Sequence, residues 1–154
     1  MPRVNAGWGQ EIALDLDMVS ATCPTCKILL VEAKSASFTN LAAAVNYAAS
    51  QAGVVAISNS YGGSDSAGTA AYNHPGIAIT ASTGDSGYGV MSPASFTSVI
   101  AVGGTSLVKD ATSSRGWTET AWNGAGSGCS TLNAKPRYQT SATQCTGKAN
   151  ADVS

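Results

Sequence analysis

The sequence predicts an α/β domain: an open, mostly parallel sheet flanked by helices in three layers. Three observations carry this. Helix and strand patterns alternate through roughly the first hundred residues, as crossovers between parallel strands require. The strand candidates are short continuous apolar runs, the form taken by strands covered on both faces. The 154 residues suit one compact domain and leave little room for two.

The first element is a helix over Glu11–Ala21 (EIALDLDMVSA), where Ile12, Leu16 and Val19 repeat at helical spacing. Cys23-Pro24 ends it. Lys27–Ala33 (KILLVEA) reads as a buried parallel strand. Thr39–Gln51 is an Ala-rich helix with Leu41, Val45 and Ala48 on one face, stopped by Gly53. Val54–Ser58, Gly76–Ala81 and Thr97–Val102 follow as strands, and Gly63–Tyr72 is a Gly- and Ser-rich loop with one helical turn. From Gly103 onward the chain is mostly Gly, Ser, Thr and Asn, with little periodicity. In open parallel sheets the site lies beyond the carboxyl ends of the strands. That gathers three loops: Asn59–Gly63, Ser82–Gly89 and the region after the fourth strand.

Composition narrows the function. Charged residues are 11% of the chain and the net charge is −1. No basic surface for nucleic acid is visible, and no charge run marks a tail. No apolar run is long enough to span a bilayer. Of the four cysteines, Cys23 and Cys26 form Cys-Pro-Thr-Cys, while Cys129 and Cys145 bracket a small-residue loop. Zinc would want a second knuckle or matching histidines, and the chain has one His. A thioredoxin-like pair would open a helix after a strand, whereas Cys23 follows a helix. Two local disulfides, Cys23–Cys26 and Cys129–Cys145, fit best and imply an exported, extracellular protein. The opening Met-Pro-Arg-Val-Asn-Ala has no apolar core of a signal peptide. The chain is therefore expected to begin inside a longer precursor.

Glu11 and Asp15 stand at i and i+4, within about 40° of one another on the helix, with Asp17 on roughly the opposite side. Two carboxylates held together resist double ionisation and can pass a proton between them. The same spacing also describes an ordinary solvated acidic face. Met18 near the same side, and the scarcity of other charges on the helix, count against the second reading without removing it. Asp85 lies in Ser-Thr-Gly-Asp-Ser-Gly after the third strand, between Gly84 and Gly87, whose bare backbone lets a ligand approach. Alone it would pass for a turn aspartate.

The motifs Glu11-Ile-Ala-Leu-Asp15, Cys23-Pro-Thr-Cys-Lys-Ile-Leu-Leu-Val-Glu-Ala, Ile57-Ser-Asn-Ser-Tyr-Gly-Gly63, Ala81-Ser-Thr-Gly-Asp-Ser-Gly87 and Val99-Ile-Ala-Val-Gly-Gly-Thr-Ser-Leu107 occur in this order. Together they resemble the sedolisin family of subtilisin-fold serine-carboxyl peptidases. Trp117–Gln139 and the terminal Ala151-Asp-Val-Ser154 look like that family too. The resemblance implies that Glu11 is the general base and Asp15 the acid that orients and protonates it. It makes Asp85 the donor that stabilises the tetrahedral oxyanion, which a carboxyl can do only while protonated. Ser60, Tyr61, Gly62 and Gly63, with Gly84, match the segments that hold substrate backbone. Some members carry Trp at the place of Tyr61, where it extends the acid network.

The family nucleophile lies in a Gly-Thr-Ser turn opening a helix with a Pro nearby. Gly104-Thr-Ser106 has the tripeptide but is followed by Leu-Val-Lys-Asp, without helix pattern or Pro. It matches the family's strand-end motif instead. The resemblance thus covers residues 1–154 as a partial catalytic domain, truncated before the nucleophilic serine. The family's calcium site is expected in the same missing segment, leaving no cofactor in this chain. His74, in Tyr-Asn-His-Pro-Gly, reads as a surface or packing residue. The expected function is peptide-bond hydrolysis at acidic pH through an acyl-enzyme, with the 154-residue chain inactive alone. The expected partners are a peptide or protein substrate and the missing part of the domain, not nucleic acid or membrane. The alternative is a non-catalytic module that keeps the peptide groove.

Overall fold

The computed structural model describes residues 4–139 and 143–154. The opening tripeptide used in the reading of the N-terminus, and residues 140–142 of the loop between the second cysteine pair, lie outside them.

Helix α1 spans Ala6–Thr22. It starts earlier than expected because Asn5 caps it, accepting the Trp8 N–H at 3.0 Å. Cys23 leaves helical geometry ahead of Pro24. Helix α2, Phe38–Ala49, is capped by Ser37 and buries Val45 and Ala48. Gly53, at φ 84°, then turns the chain toward the sheet.

Strands β1 (Ala56–Asn59), β3 (Ala78–Ser82) and β5 (Ile100–Val102) form a parallel sheet in the order β1-β3-β5. Three of the four expected strands are present, with bounds displaced by up to three residues. Val45 of α2 joins Ile79, Ala81, Val99 and Ala101 in one core with Tyr72, Ala94 and Phe96. Tyr72 and Phe96 meet edge to face with centroids 5.1 Å apart. A short β2 (Gly63–Ser64) pairs antiparallel with β4 (Met91–Ser92), and the helical turn in the intervening loop is Ala70–Tyr72.

Two expectations need correction. Lys27–Ala33 was to be a buried strand, yet it joins no ladder among the described residues, and Leu29 is 50% exposed. Apolarity makes a segment fit to be covered, but a strand also needs a neighbour's backbone groups. Among the described residues, β1 pairs only with β3, and α1, which would cover the run, buries no residue. The second correction concerns the chain beyond Gly103. It holds two antiparallel ladders: β6 (Thr105–Lys109) with β7 (Trp117–Ala121), and β8 (Gly128–Ala134) with β9 (Gly147–Asn150). Among the described residues the parallel ladders are thus those of the central sheet. Strand β7 is exposed at every position, so it has no inward face to leave an alternating apolar pattern.

Both disulfides, Cys23–Cys26 and Cys129–Cys145, are formed. The second closes a loop of 16-residue separation around β8 and β9, a constraint on the unfolded chain of roughly 3 kcal/mol. The end of the chain is held by a buried ion pair. Lys148 on β9 is fully buried, and its ammonium donates to Asp152 Oδ2, to Val99 O at 3.0 Å and to Tyr138 Oη at 2.8 Å. Asp152 also accepts the Ala101 N–H at 2.7 Å and Gln139 Nε2 at 2.6 Å. These bonds lay residues 151–153 along β5, where Asp152 N donates to Ala101 O. Burial pushes the Lys148 ammonium down against the pull of Asp152. Burial would raise Asp152, but the bonds from Lys148, Ala101 and Gln139 outweigh it and hold the carboxyl below its ordinary range.

Replacing Asp152 by Asn strands a buried ammonium and is expected to cost about 3–5 kcal/mol in chemical denaturation. The sign with pH follows from the depressed carboxyl. Its stabilisation is present above the unfolded value of about 3.9 and lost as pH falls through the lower folded value. The stability gap between wild type and Asp152→Asn should therefore narrow in strong acid; a gap constant down to pH 2 would contradict the assignment.

Candidate active site

Parallel register fixes where the loops emerge. Asn59 pairs with Ala81, and Ser82 with Val102, so β1, β3 and β5 end on the same side. Asn59 is buried at the end of β1 and uses both halves of its amide. Its Nδ2 donates to Thr80 O at 2.9 Å and its Oδ1 accepts from Tyr61 Oη at 2.7 Å. With the Tyr61 proton committed there, the 3.0 Å contact between Tyr61 and Tyr72 requires Tyr72 to donate. Burial pushes Tyr61 far above the ordinary phenol range. The Tyr61 hydroxyl thus belongs to a neutral network, and its recorded hydrogen bonds go to no carboxylate.

The Asp85 turn is clamped from the second half of the chain. Thr83 N donates to Val102 O at 2.9 Å, Gly126 N to Gly84 O at 2.9 Å, Gly87 N to Gly124 O at 2.8 Å and Gly89 N to Ser127 O at 2.7 Å. Two glycines allow it. Gly84 stands at φ 98°, and a side chain there would collide with Met91 Sδ; one at Gly126 would collide with the Thr83 carbonyl. Asp85 itself is exposed at the tip.

Helix α1 meets this edge through one bond, Ser60 Oγ donating to Asp15 Oδ1 at 2.6 Å. Glu11, one turn earlier, reaches a cleft of about 450 Å³ that it lines together with Ser60, Tyr61, Gly62, Gly84 and Asp85. The sequence-predicted base and oxyanion residues thus share one cavity. Asp15 stands behind Ser60 and does not line it. Gly63 is one step further, paired with Ser92 on β4. Ser82 and Ser86 line the cleft as well, as do Leu14 and Met91, which sequence reasoning missed. Leu14 could have been found from its place between the two carboxylates. Met91 had no signal, because only the β2–β4 ladder brings it in.

The remaining candidates lie elsewhere. Ser106 sits within β6 opposite Thr120 and does not line the cleft. His74 Nε2 stands 3.0 Å from Asn46 Oδ1 and 3.0 Å from Ala71 O, a bridge between α2 and the turn. Among the described residues no three His, Cys, Asp or Glu side chains gather as metal ligands. No helix among them is long and apolar enough to cross a membrane.

No protein-family model matches the chain, and no curated protein sequence matches it. A solved structure does: Pseudomonas sedolisin, a serine-carboxyl proteinase, complexed with two molecules of pseudo-iodotyrostatin. It is 27% identical, with a TM-score of 0.61 over 79% of this chain and 43% of that one. The chain therefore has a sedolisin-like fold and spans less than half the length of the structure it matches.

The clamp can be tested directly. Gly126→Ala must displace the Thr83 carbonyl and is expected to cost about 1–3 kcal/mol in thermal or denaturant unfolding. It should also shift the amide resonances of Gly84–Gly89. A variant of wild-type stability with an unmoved turn would show that this packing does not hold Asp85.

Proposed function

We propose that this chain is the acid-base part of a secreted, sedolisin-like serine-type peptidase. One observation carries the reading: Glu11 from a helix and Asp85 from a strand-end turn line the same cleft, beside the Ser60–Gly62 segment. In this reading Glu11 takes the proton of the attacking serine. Asp85 donates a hydrogen bond to the tetrahedral oxyanion, so activity belongs to acidic pH, where a carboxyl keeps its proton. Asp15, tied to Ser60, orients α1 and serves Glu11 as proton partner. Extended substrate backbone lies along Ser60–Gly63 and over Gly84. The two disulfides support export.

Among the described residues no serine of the cleft, Ser60, Ser82 or Ser86, is hydrogen-bonded to Glu11. Ser60 spends its proton on Asp15, and Ser106 lies in a strand outside the cleft. A hydroxyl must stand within hydrogen-bond reach of its base to be activated. The reading therefore places the nucleophilic serine, and the calcium site that accompanies it in sedolisins, on further polypeptide completing the domain. The same absence favours a second reading, a cleft that binds peptide without cutting it.

Hydrolysis assays on the 154-residue chain and on a chain extended past Ser154 separate these readings. The short chain is expected to be inactive and the extended one active at acidic pH. Glu11→Gln in the extended chain should lose about 10²–10⁴-fold in rate. Cleavage by the short chain that vanishes in Ser106→Ala would overturn the assignment of the nucleophile. Full activity of Glu11→Gln would remove Glu11 from the mechanism. Peptide binding with no cleavage by either chain would establish the second reading.

A further inference from the structure

The lining of the cleft divides by chemistry. Apart from Leu14 and Met91, it consists of carboxyl, hydroxyl and phenol groups and glycine backbone. Leu14 lies at i+3 from Glu11 and is 54% exposed. An exposed leucine is ordinary on a surface, but this one stands inside a cavity that also holds a thioether. Met91 is half-buried on β4, held by pairing with Ser64. A Cβ built on Gly62 would lie 2.9 Å from Met91 Cε, and one built on Gly84 would collide with Met91 Sδ. Met91 therefore occupies the space that side chains at 62 and 84 would have taken. The size of residue 91 decides how much of that space is left open.

We propose that Leu14 and Met91 form an apolar seat for one aliphatic or aromatic side chain of a bound peptide, between Glu11 and Asp85, with residue 91 setting its depth. This rests on the peptide-cleft reading above. The backbone of the peptide meets Gly62 and Gly84, where no side chain obstructs it, and one of its side chains comes down onto the thioether. An unbranched, polarisable methionine adapts to several shapes, so the seat selects for apolar bulk rather than one outline. An acidic side chain there would be desolvated beside two carboxyls, and alanine would leave Leu14 in water. Differences of one or two methylenes in such a pocket are worth about tenfold or more in affinity.

The test uses the 154-residue chain labelled with ¹³C at the methionine methyls, the Met91 signal being assigned with Met91→Leu. Hexapeptides Ala-Ala-X-Ala-Ala-Ala are titrated in, with X as Ala, Leu, Phe or Asp. The Leu and Phe peptides are expected to shift the Met91 methyl and to bind about tenfold tighter than the Ala peptide. Met91→Phe, which fills the seat, should cut that preference to about twofold. Suppose peptides move the amides of Gly62 and Gly84 while the Met91 methyl stays still and the preference survives in Met91→Phe. That result overturns the seat and leaves the peptide cleft standing. If no peptide moves any cleft resonance in wild type, the seat and the peptide-cleft reading fall together.

Discussion

Everything at the candidate site depends on the in-register parallel pairing of three short strands. Asn59 beside Ala81, and Ser82 beside Val102, set the ends of β1, β3 and β5 on one side of the sheet. A shift of one residue would turn each side chain to the opposite face. The buried Asn59 makes such a shift costly. Its amide bonds both the β3 backbone and the Tyr61 hydroxyl, and slipping would leave two buried polar groups unpaired, at about 1–3 kcal/mol each. The same residue thus fixes the register and the path of the chain into the site.

The second half of the chain supports the first at short range. Its abundant small residues have a mechanical role here, because backbone can pack on backbone only where side chains are absent. Gly126 lies against the Thr83 carbonyl, and Gly147 against Ser130 O. Asn133 and Ser130 reach Asp65 and Ser66 and tie β8 to the loop that leaves β2. Lys148 and Asp152 tie β9 and the segment after it to β5. The ion pair keeps its charge at mild acidity because hydrogen bonds hold Asp152 below the ordinary carboxyl range.

How far the sequence could be read follows from what each element needs. Helix α2 and strands β3 and β5 were legible because burial wrote apolar positions into them, and β1 because an apolar run follows Gly53. The strand-end rule placed the Asp85 turn at the edge of the sheet, while the pairing of Glu11 with it came from the family resemblance. Lys27–Ala33 misled, since its apolar run says nothing about whether a neighbour is there to pair. Strands β6 and β7 were hidden because they pair with each other in the open, without an apolar face. The partner of Asp15 was hidden too: helical spacing pointed it at Glu11, while its bond goes to Ser60, brought close only by the fold. Met91 was unreadable for the same reason. Tyr61 shows the limit of analogy, since its position matched an acid network but its hydroxyl joins Asn59 and Tyr72.

The central claim is that Glu11 and Asp85 belong to one peptide-binding cleft. Carbodiimide footprinting of the carboxyl groups, read by mass spectrometry with and without a bound Leu-containing peptide, tests it most directly. The account predicts that the peptide protects Glu11 and Asp85 together and leaves the exposed Asp17 and Glu32 as reactive as before. Protection of one member of the pair without the other, or uniform change at all four, would contradict it.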